Sequence, residues 1–270
     1  MFPLVALAVG APHQKQPFTL TLAAPKQPLK AGARGRSTAP SPLSLHLRPT
    51  ALRLDNVPLS KALEKLGNQV QGGYVLFGLE LKLKNGREPL VKVDIPPGET
   101  VKGALGMIFY DLPDYKYESV SEHLINIYPV RAKEDPKDVL NILVPRLDIV
   151  DKQAGDILSR PKDFIPQLAE RLAPPTRPGH TGGTPMSILS DVGPPTTTLH
   201  LRNVTVRQIL NAASEATEEF PAKYMAYGWV YSFDPDPTLP AGGKHSWAVL
   251  WSVPYDWKHE ADKTGGGPTK

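Results

Sequence analysis

Cysteine is absent from the 270 residues. That excludes a disulfide framework, a thiol nucleophile and a thiolate metal site. No run of 18 apolar residues occurs, which excludes an ordinary helical membrane span. Catalytic signatures are missing too. There is no His-Glu-x-x-His helix and no Gly-x-Ser-x-Gly elbow. The histidines His13, His46, His123, His180, His200, His245 and His259 show no close ligand spacing, so no metal is expected. Gly182-Gly183 and Gly242-Gly243 lack the Lys-Ser/Thr or the following helix of a phosphate loop, and no cofactor is expected. Glu218 and Glu219 are adjacent and read as a solvated helix end. No catalytic activity is legible in these residues.

Acids are absent from residues 1–50, which carry six basic residues: Lys15, Lys26, Lys30, Arg34, Arg36 and Arg48. The remaining residues hold 25 basic and 27 acidic side chains out of totals of 31 and 27. The predicted pI near 9.1 therefore reflects the first fifty residues and not the rest. Six charges over that length, nearly without aromatics, are too sparse to suggest nucleic acid as a partner.

Proline is abundant, with 30 residues, and marks the segments between structured parts. Met1–Gly10 is apolar and reads as the back half of a secretory signal peptide without its positively charged start. Export is expected, to the periplasm or the envelope. Residues 1–50 read as leader and proline-rich flexible spacer, with one extended piece at Leu43–Leu47. Residues 257–270 contain Gly265-Gly266-Gly267-Pro268 and read as a flexible tail.

The body between them repeats. Leu52, Leu54, Asn56, Leu59, Ala62, Leu63 and Leu66 recur 147 residues later as Leu199, Leu201, Asn203, Val206, Ile209, Leu210 and Ala213. In each copy two alternating apolar residues predict a short strand. An Asn-Val turn follows, and then apolar residues at i, i+3, i+4 and i+7 predict an amphipathic helix. A weaker copy runs through Val91, Val93 and Ile95, the turn Pro96-Pro97-Gly98, and the stripe Val101, Ala104, Leu105 and Ile108. Gly103 and Gly106 in that helix either admit a close neighbour or lie exposed.

Hairpins are expected after the helices. Tyr115–Tyr117 and His123–Tyr128 form one. Tyr227, Trp229, Tyr231 and Phe233 alternate against Trp247, Val249, Trp251 and Val253 to form another. Asp135, Pro136 and Asp138 read as a helix start leading into Val139, Leu140 and Leu143. Leu147–Ile149 reads as a strand, and Phe164, Leu168 and Leu172 suggest a short helix. The expected fold class is α+β: two small modules of strand–helix units with antiparallel hairpins. The first covers residues 51–130. The second covers 131–256 and includes a proline- and glycine-rich linker at 174–198.

The segments LRLDNVPLSKALEKLG (Leu52–Gly67) and LHLRNVTVRQILNAAS (Leu199–Ser214) resemble the signature of the short N-terminal domain shared by secretins and TonB-dependent receptors, the STN domain. Val93–Phe109 is similar to the second half of that domain, and His123–Tyr128 to its last strand. The resemblance implies a small α+β fold in which two strand–helix units pack together. It also implies a periplasmic interaction module that docks onto partner proteins. No ring-forming domain and no run of membrane barrel strands accompanies the repeats, so channel or receptor function is not implied. The residue before the repeated Asn is Asp55 in one copy and Arg202 in the other, so no shared ligand-binding charge is implied there.

These observations lead to the expectation of a non-enzymatic cell-envelope protein for protein–protein interaction or assembly, with an envelope protein as partner and only peripheral association with the membrane. The alternative is a small-ligand-binding receptor or an enzyme with a cleft between the two modules. A cluster of perturbed carboxylates in an apolar cleft would favour that alternative. Trp229, Tyr231, Trp247 and Trp251 are the candidate interaction surface. Burial in the core is the competing reading of the same residues.

Overall fold

A computed structural model describes residues 19–21, 43–172, 196–217, 226–235, 238 and 243–252. The expected leader at residues 1–10, the tail at 257–270, most of the 174–198 linker and the Glu218-Glu219 pair lie outside the described residues. The described chain is a mixed α/β fold with antiparallel hairpins. Its first part runs β1 (Thr19–Thr21), α1 (Leu43–His46), β2 (Arg48–Pro49), β3 (Leu52–Pro58), α2 (Leu59–Gly67) and β4 (Val70–Gln71). Next come β5 (Leu76–Lys82), β6 (Leu90–Ile95), α3 (Val101–Tyr110), β7 (Tyr115–Ser119) and β8 (Leu124–Pro129). The remainder is β9 (Leu143–Gln153), α4 (Ala154–Ser159), α5 (Pro166–Leu172), β10 (Thr196–Thr205), α6 (Val206–Glu215), β11 (Ala226–Pro235) and β12 (Gly243–Ser252).

The largest sheet has the order β12-β11-β5-β8-β7. Its central strand, β5, pairs parallel with both β8 and β11. The two flanking hairpins, β7–β8 and β11–β12, are antiparallel. Two smaller sheets lie outside it: β3 with β6, and β1-β10-β9. A fourth pairs β2 with β4.

Apolar side chains collect on both faces of the large sheet. On one face α2 and α3 pack their stripes, Leu59, Ala62, Leu63 and Leu66 with Val101, Ala104, Leu105 and Ile108, against Phe77, Leu79 and Leu81 of β5. On the other, α6 and α4 pack Ile209, Leu210, Ile157 and Leu158 against Trp229 and Tyr231 of β11 and the inner residues of β9 and β10. Successive residues of a strand point to opposite faces. Val230 accordingly joins the first core while its neighbours Trp229 and Tyr231 join the second. One sheet thus serves both cores, and the C-terminal hairpin completes the sheet begun by β5.

The repeat has a backbone signature. Asn56 and Asn203 both adopt φ of 51°, the left-handed region that Asn tolerates better than most residues. Each lies three residues before the first residue of its helix. Gly98, with φ of 82°, holds the same place before α3, and Asp151, with φ of 51°, holds it before α4. The described residues therefore contain four strand–helix units built the same way. The unit at Leu147, Ile149, Asp151, Ala154, Ile157 and Leu158 was legible in the sequence only as a strand. At Asn56 and Asp151 the ladder slips by one residue, as expected where a bulge turns a strand out of register.

Several local expectations are corrected. Leu43–His46 forms a short helical turn and not an extended piece; Ser44 anchors it by donating its N–H to the Glu122 carbonyl at 2.9 Å. No α-helix starts at Asp135. The chain makes two 3₁₀ turns, Ala132–Glu134 and Val139–Asn141, and enters β9. Asn141 ties the turns together, donating to the carbonyls of Ala132 (2.7 Å) and Asp135 (2.8 Å). Pro145 then disfavours a continued helix. Gly106 faces open space, whereas a Cβ on Gly103 would strike the Glu99 side chain.

Candidate functional site

The aromatic hairpin forms as expected, with Trp229 opposite Val249 and Tyr231 opposite Trp247. Its aromatic face points inward. Trp229 is 1% exposed and Tyr231 4%. Trp247 is partly buried against the same core, and the side chain of Trp251 lies outside the described residues. The physical reason is α6. Its Asn211 accepts a hydrogen bond from the Trp229 indole N–H at 2.9 Å, which satisfies the one polar atom of a buried Trp. The Tyr231 ring lies 4.5 Å from that of Trp247, tilted by 34°, and its hydroxyl lies 2.8 Å from His245 Nδ1. Burial raises the Tyr231 hydroxyl pKa well above the ordinary tyrosine value.

Beside this hairpin lies a cluster of buried charge. Glu80 is carried by β5 on the face opposite Phe77, Leu79 and Leu81. Its carboxylate meets the Arg207 guanidinium of α6 at 2.6 Å, with both side chains almost fully buried. Arg207 also donates to Asn141 Oδ1 at 2.9 Å and lies 3.7 Å from Asp138. Its guanidinium carbon stands 5.6 Å from the Tyr128 ring centroid. Burial, reinforced by a hydrogen bond and repulsion from Asp138, pushes the Glu80 carboxyl up to about 9 against the pull of Arg207. The neutral form of Glu80 is thereby favoured, beside a guanidinium that both carboxyl groups approach.

Of these groups Glu80 and Asp138 line a cleft of about 530 Å³, within the size range of small-molecule sites. Tyr231, Phe233 and His245 supply one wall, and Val139 and Leu172 add apolar surface. The Phe233 and His245 ring centroids are 5.0 Å apart. Arg131, Lys137 and Arg171 stand exposed at the mouth. A hollow of about 680 Å³ at the Lys84–Arg87 turn is lined by Lys82, Lys84, Asn85, Arg87, Glu88 and Pro89 and has no aromatic wall. Glu80 and Arg207 were not singled out from the sequence, and Asp138 only as part of an expected helix start. Arg207 lies in the repeat at the place that Ser60 takes in the first copy. The weak copy carries Lys102 at the same place, so a cation there was no distinguishing signal.

The second feature is an open strand edge. β9 pairs with β10 on one side and with no strand on the other among the described residues. It is eleven residues long and exposes Leu143 (57%) and Val150 (54%). On its face His200 Nδ1 meets Asp148 Oδ1 at 2.9 Å across the ladder. That hydrogen bond, with a second from Arg146, lowers the Asp148 pKa. His200 is exposed. Among the described residues no group of three or more His, Asp or Glu side chains could hold a metal ion, and no helix is long and apolar enough to cross a membrane. No family model, no curated protein and no solved structure matches the chain.

Proposed function

We propose that the chain is a non-enzymatic protein–protein interaction or assembly module of the cell envelope, exported and only peripherally associated with the membrane. The observation that carries this reading is the unpaired outer edge of β9, with its two exposed aliphatic side chains. Such an edge offers backbone donors and acceptors to an incoming strand, and alternate side chains give the contact its specificity. The resemblance of Leu52–Gly67 and Leu199–Ser214 to the STN domain supports the same reading. In this proposal the modules are two related sets of strand–helix units that share one sheet.

The test is capture from envelope extracts with the intact protein beside the double variant Leu143→Glu/Val150→Lys. Both positions are exposed, so the substitutions leave the core intact. The expected result is a defined envelope protein retained by the native chain and lost by the variant. Equal capture by both, no capture at all, or fractionation of the native protein with the cytosol would overturn the reading.

A small-ligand receptor or an enzyme is the second reading. It is favoured by one observation: the perturbed carboxyl of Glu80 lies in a partly apolar cleft flanked by elements of both halves of the chain.

A further inference from the structure

The cleft beside Tyr231 has an uneven charge distribution. Arg131, Lys137 and Arg171 at its mouth form no ion pair among the described residues. Unpaired cations around a concavity focus a positive potential into it. One carboxylate, Asp135, shares the mouth, and its Oδ1 already accepts the Lys137 backbone N–H at 2.8 Å. The acids deeper in, Glu80 and Asp138, are committed to Arg207. Burial also favours the neutral form of Glu80. The cleft therefore presents cations outside, a polar floor whose acids are already engaged, and an aromatic wall.

We infer that this cleft binds a small organic anion with a flat apolar part, its acidic group held by Arg131 and Arg171 and its apolar part against Phe233 and His245. The inference rests on the receptor reading and is independent of the β9 edge. A guanidinium pairs well with carboxylate, sulfonate or phosphate oxygens because its donors form a planar fork. Phe233 is partly buried and faces the cleft, so a planar ligand covers apolar surface that water now touches. A cationic ligand has no free carboxylate to meet on the floor, and the mouth cations, with Lys82 beside them, repel it.

The test uses two fluorescent probes of similar shape on the full chain: the anion 8-anilinonaphthalene-1-sulfonate and neutral N-phenyl-1-naphthylamine. The native protein is expected to bind the anion at one site, more tightly than the neutral probe, and less tightly at high salt. In the variant Arg131→Glu/Lys137→Glu/Arg171→Glu, anion affinity should fall at least tenfold while affinity for the neutral probe stays the same. Circular dichroism checks that this surface variant is folded. Equal affinity for the two probes, or anion binding that survives the charge reversal, would overturn the anion assignment and leave the receptor reading standing. Failure of both probes to bind the native protein would overturn both.

Discussion

Trp229 stands opposite Gly78 in the parallel ladder between β11 and β5, and the missing Cβ of Gly78 is what seats the indole. A Cβ there would lie 2.6 Å from the ring and would also strike the Asn126 side chain. The approach is reciprocal: a Cβ on Gly228 would strike the Phe77 backbone. Replacing Gly78 by Ala should destabilise the protein by about 1–3 kcal/mol, the usual cost of overpacking a tight core. Urea denaturation followed by tryptophan fluorescence measures it. An unchanged midpoint would mean that the indole seats elsewhere.

The repeated asparagines make a second prediction. Asn56 and Asn203 share a left-handed backbone, which costs an ordinary L-residue about 1–2 kcal/mol. Asn56→Ala and Asn203→Ala should each lose stability by about that amount, whereas the Gly variants should be close to native. Thermal unfolding of the four variants compares the two sites directly, and the two sites should respond alike.

Arg207 is the third test. Replacing it by Met keeps much of the side-chain volume but leaves Glu80 and Asp138 without their cation. Removing one partner of a buried ion pair is expected to cost about 3–5 kcal/mol. The double variant Asp138→Asn/Arg207→Met should recover part of that loss, since it removes the carboxylate left without its cation. A double-mutant cycle by chemical denaturation reads the coupling.

The proton on Glu80 sets a pH dependence. Its carboxyl is raised from 4.5 to about 9 in the fold. Between those values the unfolded chain has lost a proton that the folded chain still holds. Stability therefore falls as pH rises through this window, and the contribution levels off above about 9 and below about 4.5. Glu80→Gln cannot titrate, so its stability should decline less between pH 5 and pH 8.5 than that of the native chain. Parallel denaturation curves at the two pH values check this, and identical slopes would contradict the assignment.

The repeat was legible because its signals are local. Leu52, Leu54 and the stripe Leu59, Ala62, Leu63 and Leu66 form a strand and a helix from spacing alone, and the β7–β8 and β11–β12 hairpins followed from alternation. The missed element is β5. Its run Leu76, Phe77, Gly78, Leu79, Glu80 and Leu81 is buried on both faces, and a parallel central strand shows no apolar–polar alternation. With β5 unread, the meeting of Glu80 with Arg207 was unreadable too, because it depends on which strand lies beneath α6. That Trp229 and Tyr231 face a core was one of the two readings open in the sequence; the strand beside them and the helix above them were not readable. The α4 unit was hidden because Asp151 stands where the two strongest copies have Asn and the weak copy has Gly98.

The parallel pairing of β5 with β11 also governs the order in which the protein is made. Synthesis delivers β5 long before β11, so the nascent chain carries the central strand with one long edge unfilled until the C-terminal hairpin emerges. Unfilled apolar edges recruit other chains. Chains stopped short of Ala226 are therefore expected to self-associate and to require a holding factor. Completion of the sheet, more than formation of either helix layer, is the step that ends this vulnerability.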